Sequence, residues 1–159
     1  MEIEKTFKQT PESLIKTMSI IHLALLAGQM LFALVAFAQS TKIYFGITYL
    51  DDDFVYTVPL LALIGFFGGY LLFKKQLKVI RYKSPLTEKL SSYQSALIIR
   101  YALLEGPSLF AIVAYMLNGN LFFLSVSGSL MLYFIFLRPT TEKIDTDLQL
   151  DLDNPMRFL

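Results

Sequence analysis

Glu105 is an acid set in the middle of an apolar run, residues 96–117. An ionised carboxylate in a bilayer core costs several kcal/mol unless it is paired or neutralised, so such a residue calls for an explanation. Tyr101 (i−4) and Ser108 (i+3) share its helical face and could hydrogen-bond it. Pro107 has no backbone N–H, which frees the Leu103 carbonyl and predicts a helix kink. Gln29, from another apolar run, is a candidate partner, and Arg100 and His22 complete the polar set. Such a constellation could hold a cation or pass a proton. A protonated glutamic acid tying helices together is the plainer role, and the apolar runs offer no second acid for a relay. Arg100 lies toward the end of its run, where its long stem can carry the charge to the interface. His22 is expected in a helix-to-helix hydrogen bond rather than as a haem ligand.

Other chemistry is excluded more firmly. The chain has no cysteine and one histidine, so it offers no disulfide, thiolate metal site or multi-histidine cage. No nucleophile–base pair, phosphate loop or metal motif is present, and the sequence predicts neither an enzyme nor a resident metal or cofactor. A net charge of +1, from 14 basic and 13 acidic residues, gives no sign of nucleic-acid binding.

The 159 residues are 55% hydrophobic and 17% charged, with mean hydropathy +0.53. That is too apolar for a small soluble domain, and the lipid bilayer is the expected surrounding. Four apolar runs stand out, at about 17–37, 54–73, 96–117 and 121–137. Each approaches the length of a bilayer crossing, and spanning backbone must satisfy its own hydrogen bonds, so all four are predicted helices. The predicted fold class is an all-α polytopic membrane protein with four transmembrane helices as two tandem hairpins. Its parts are hairpin 1 at about 11–73, a basic linker at 74–92, hairpin 2 at about 93–137 and an acidic tail at 138–159. Twelve basic residues fall before the first run, between the second and third, or after the fourth; Lys42 alone falls on the other side. The positive-inside rule then puts both termini in the cytoplasm, with a bacterial inner membrane the expected location. Thr10-Pro11 and Ser84-Pro85 read as helix starts, each a capping hydroxyl before a proline at the first helical position. Asp51, Asp52 and Asp53 read as caps of the second helix.

An internal repeat relates residues 20–37 to 98–115, identical at eleven of 18 positions without a gap. It suggests parallel-related hairpins about an axis along the membrane normal. Glu105 interrupts the repeat, its counterpart being Ala27, while Ala24/Ala102 and Gly28/Gly106 preserve it. These form small-xxx-small pairs expected to pack the first helix on the third; Gly65/Gly69 and Ser125/Ser129 offer two more such faces. The 144–153 tail alternates aliphatic and acidic residues with period two, the pattern of an extended strand. Disorder or docking on a cytoplasmic partner are its expected states.

The stretch IIRYALLEGPSLFAIVAYMLNGN in its four-span setting resembles small four-span membrane proteins of Bacteroidota-type bacteria. That resemblance implies the architecture and carries no activity. Duplicated hairpins with one membrane glutamate also resemble, in plan, the proteolipid rotor subunits of rotary ATPases. Those place the acid on the second helix of a hairpin, whereas Glu105 is on the first of its own. The expected function is a non-catalytic membrane assembly or accessory subunit, a homo-oligomer or the partner of another membrane protein. The alternative is a proton- or cation-linked channel or transporter using Glu105.

Overall fold

The computed structural model of the chain describes residues 10–46, 53–83 and 85–150. The described residues form five helices: α1 (Pro11–Gln39), α2 (Phe54–Ile80), α3 (Leu86–Asn118), α4 (Leu121–Phe136) and α5 (Thr141–Leu148). The first three are long and apolar enough to cross a membrane. At 16 residues, α4 reaches only about 24 Å against a hydrocarbon core of about 30 Å. Only together with α5, from which it is bent by 79°, is it long and apolar enough to cross. The chain is therefore all-α with three candidate spans, or four if the bent pair counts as one. Large apolar side chains face outward along every long helix, with Leu34 65% and Leu117 67% exposed. Water would penalise that surface and lipid does not, which indicates a multi-pass membrane protein.

Local chemistry sets the helix ends. Thr10 and Ser13 form a reciprocal capping box, Ser13 N–H donating to Thr10 Oγ1 (3.2 Å) and Thr10 N–H to Ser13 Oγ (3.1 Å), with Pro11 opening the helix. At α3 the expected register shifts by one: Pro85 is itself the cap and Leu86 the first helical residue, Ser84 lying outside the described residues. Asp53 precedes α2 without a side-chain cap bond; its carbonyl accepts from Thr57 N–H and Thr57 Oγ1 instead. Asp51 and Asp52 lie outside the described residues. The basic 74–92 linker is mostly helix, since α2 runs on to Ile80 and α3 begins at Leu86.

The 144–153 tail departs most from its sequence pattern. Residues 141–148 are helix, not strand, with Thr140 accepting from Lys143 N–H as the cap and Gln149 ending the helix at φ 54°. Ile144 and Leu148, one turn apart, bury their side chains in the same apolar cluster as Leu14, Met18, Leu77, Leu90 and Tyr93. Burial on the chain's own bundle supplies the apolar cover that a lone strand would have lacked. Residues 151–153 lie outside the described residues.

Packing centres on α3, which touches α1, α2 and α4. The second helix packs on α3 and α4, and α1 does likewise, rather than the two packing on each other. Of the two expected hairpins, the second is closely packed, α3 on α4, whereas α1 and α2 do not pack on each other in this way. One core lies toward the basic end, beneath α5; the other joins Ala36, Val55, Val58, Ala111, Tyr115 and Phe123 at the opposite end. There the α1–α2 connection is tied to the α3–α4 turn. Tyr44 N–H donates to the Gly119 carbonyl (3.1 Å), and Leu121 N–H to the Tyr44 carbonyl (2.8 Å). Asn120 caps α4 through Phe122 N–H and also donates to the Gly46 carbonyl (2.7 Å). At Gly119, φ is 72° and a Cβ would run into the Lys42 carbonyl, so glycine is required twice over.

Candidate intramembrane polar site

The rotation of α3 decides what becomes of the predicted site. Its inward face carries Tyr101, Leu104, Ser108, Ala111, Ile112 and Tyr115, while Ala102 and Gly106 face out. Glu105 lies between the two, partly exposed. On a 3.6-residue helix Tyr101 and Ser108 are about 40° and 60° round from Glu105, both on the same side. That offset turns both toward α4. Tyr101 donates to the Leu137 carbonyl (3.2 Å), and Ser108 pairs with Ser127, Oγ to Oγ 2.9 Å, both hydroxyls buried. The expected Tyr101–Glu105–Ser108 cluster is therefore not formed, and Glu105 makes no hydrogen bond or ion pair among the described residues.

The other polar candidates are also separate from it. Gln29 is buried, and its Nε2 finds no partner among the described residues, so it does not bridge to Glu105. His22 is buried as well, its ring stacked on Phe134 at 4.5 Å and tilted against Tyr101 at 5.3 Å. Its Nδ1 is unpartnered among the described residues, and the aromatic stack, rather than a hydrogen bond, holds the ring. Arg100 reaches between α2 and α4: Nη2 donates to Tyr133 Oη (3.0 Å), and the guanidinium lies 4.7 Å from the Phe73 ring centre. Its Nε is buried without a partner among the described residues. No group of three or more potential metal-ligating His, Asp or Glu side chains occurs among the described residues.

Small residues pack on one of the faces proposed for them. Gly65 and Gly69 are buried against α3, Gly65 beside the Leu103 carbonyl and the Pro107 ring, Gly69 beside Arg100. Pro107 sits inside α3, which continues through it. Ala24, Gly28, Ala102 and Gly106 are exposed, and a Cβ on either glycine would meet nothing within 4 Å. The expected α1–α3 contact through these residues is thus replaced: α1 presents Leu14, Met18, His22, Gln29 and Ala36 inward. Bulky and polar side chains on that stripe gain more from burial against α3 and α4 than the small ones do. Ser125 and Ser129 are likewise exposed, their hydroxyls donating to the Phe122 and Ser125 carbonyls of their own helix. Ser127, between them, is the inward serine that sequence reasoning missed. Its signal was the Phe123, Ser127, Leu130, Phe134 spacing of an inward helical stripe.

Compared with known proteins, the chain matches no family model, no curated protein and no solved structure.

Proposed function

We propose that the chain is a non-catalytic integral membrane assembly subunit, of four spans with both termini cytoplasmic, that associates with further copies or with another membrane protein. The observation that carries this reading is Glu105. It lies about midway along the apolar part of α3, partly exposed and without a partner among the described residues, beside the outward-facing Ala102 and Gly106. Lipid makes an unpaired polar group unfavourable, while a neighbouring helix can both cover it and approach the small residues closely. The sequence repeat fits two hairpins of common origin whose second copy acquired this acid. The same free carboxyl supports the alternative, a proton- or cation-linked pathway; the packed aromatic and aliphatic interior weighs against it.

Cysteine cross-linking tests the assembly, because the chain has no native cysteine. In membranes, oxidation should join two copies carrying Gly106→Cys, or a thiol-reactive photo-cross-linker at that position should join one copy to a partner, and Leu63→Cys on the exposed face of α2 should stay unlinked by either. Equal linking at both positions, or none at either, removes the proposed face. Glu105→Gln in sealed vesicles separates the alternative: an assembly subunit keeps its cross-link and moves no ion before or after the change, whereas a transporter loses ion flux.

A further inference from the structure

Basic residues near the end of α2 recur at Lys74, Lys78 and Arg81, spacings of four and three that set them on one helical face. The fold brings two more cations to that face, Arg100 from α3 and Lys143 from α5. Together they line a cavity of about 500 Å³, whose remaining wall includes Tyr70, Phe73 and Leu77. One acid, Asp147, shares it. Its carboxylate is engaged elsewhere, accepting from Tyr93 Oη (2.8 Å), and Arg81 Nε donates to the Asp147 backbone carbonyl rather than to the side chain (2.7 Å). Among the described residues the ion pair present is Lys83–Glu88, so none of the five cations has a carboxylate within ion-pair distance.

Five converging positive charges repel one another, and a fold that gathers them is relieved by an anion. Arg100 adds a directional element. Its guanidinium, part of the cavity wall, is held by Phe73 and Tyr133, and the buried Nε lacks an acceptor among the described residues. Lys74 is steadied over the Tyr70 ring at 4.6 Å, and Lys143 by the Phe136 and Arg138 carbonyls (2.8 and 3.0 Å). A planar guanidinium beside several ammonium groups suits the several oxygens of a phosphate. We propose that this cavity, between α2, α3 and α5, binds a phosphate group. Below it, Tyr70, Phe67 and Leu63 continue down the same exposed face of α2, an apolar track for an acyl chain. The chemistry therefore favours a phosphate carried on a lipid headgroup over one free in solution. The site is independent of whether the chain assembles.

The test uses the full chain in neutral detergent, with dioleoyl phosphatidic acid, dioleoyl phosphatidylcholine and sodium phosphate as separate probes. Phosphatidic acid should raise the melting temperature and remain bound in native mass spectrometry, and phosphatidylcholine should do neither. Lys78→Gln and Arg100→Gln should each weaken binding about tenfold, the scale of one charge-assisted hydrogen bond. Lys75→Gln removes the same charge from a different face of α2, where Lys75 lines a separate groove, and should bind as wild type does. Should Arg100→Gln fail to fold, exposed Lys78 still decides the matter. Competition by millimolar sodium phosphate would assign the site to soluble phosphate, and its failure to compete would assign it to lipid. The proposal is overturned if Lys75→Gln weakens binding as much as Lys78→Gln, or if none of the probes is distinguished from buffer.

Discussion

Gly65 lies against the carbonyl oxygen of Leu103, the acceptor that Pro107 leaves without its helical donor. Two departures from regular helix chemistry thus meet at one contact. A proline strips α3 of a hydrogen bond, and a glycine lets α2 come close enough to cover the exposed oxygen.

The sharpest mutational contrast follows from that contact. A Cβ at position 65 would overlap the Leu103 carbonyl, and it would also come within 2.7 Å of the Pro107 ring. Neither can swing aside as a flexible side chain can. Gly65→Ala should destabilise the bundle by about 1–3 kcal/mol, the usual range for overpacking. At Gly69 the nearest atoms are 3.6 Å from the same added group, so Gly69→Ala should melt as wild type does. Thermal unfolding of both variants in one detergent checks the pair, and equal melting temperatures would contradict the close approach.

Ser108 and Ser127 form an isolated buried pair, and removing one hydroxyl leaves the other without its partner. Each single alanine variant should lose about 1 kcal/mol, and the double variant less than the sum. A double-mutant cycle by thermal or denaturant unfolding measures the coupling. Strict additivity would mean that the hydroxyls do not interact.

Docking of α5 rests on two side chains, Ile144 and Leu148, and on the hydrogen bonds that Tyr93 and Arg81 make to Asp147. Ile144→Asp puts a charge into that apolar seat and should release the helix while leaving α1–α4 folded. Limited proteolysis should then cut after α4 much faster than in wild type. Tyr93→Phe should have a milder effect, about 1 kcal/mol. Unchanged protection in Ile144→Asp would show that the segment is held by something else.

Orientation in the membrane is checked by labelling. The twelve-to-one division of basic residues predicts that Asp53→Cys reacts with an impermeant maleimide added outside intact cells. Tyr82→Cys, at a position 90% exposed between α2 and α3, should react only after lysis. The reverse pattern would invert the topology.

The helices were legible in the sequence because long apolar runs leave few alternatives in a bilayer. Their rotations were not. A small-xxx-small pair marks a face that permits close approach, without saying whether another helix takes it; Gly65 and Gly69 are covered, Gly28 and Gly106 are bare. Glu105 shows the same limit at finer scale, since a 40–60° offset suffices to send Tyr101 and Ser108 to α4 instead. The tail was misread for a different reason. Ile144 and Leu148 are four apart, a separation that fits both a two-residue strand repeat and one helical turn, so their pattern alone cannot separate strand from helix. Thr140 as a cap was the available clue.

Because α1 and α2 rest on α3 and α4 rather than on each other, the order of synthesis works against early assembly. As the chain leaves the ribosome, two apolar helices enter the bilayer before the helix that both need has been made. Their small and polar faces, Gly65, Gly69, His22 and Gln29 among them, are then open to lipid or to insertion machinery. Arrival of α3 covers the two glycines, His22 gains its stacking partner Phe134 only with α4, and the Tyr44–Gly119 and Gly46–Asn120 hydrogen bonds can close only after the second turn emerges. Chains truncated before Leu86 should therefore be a ready substrate for membrane quality-control proteases, and chains extending through Asn120 far less so.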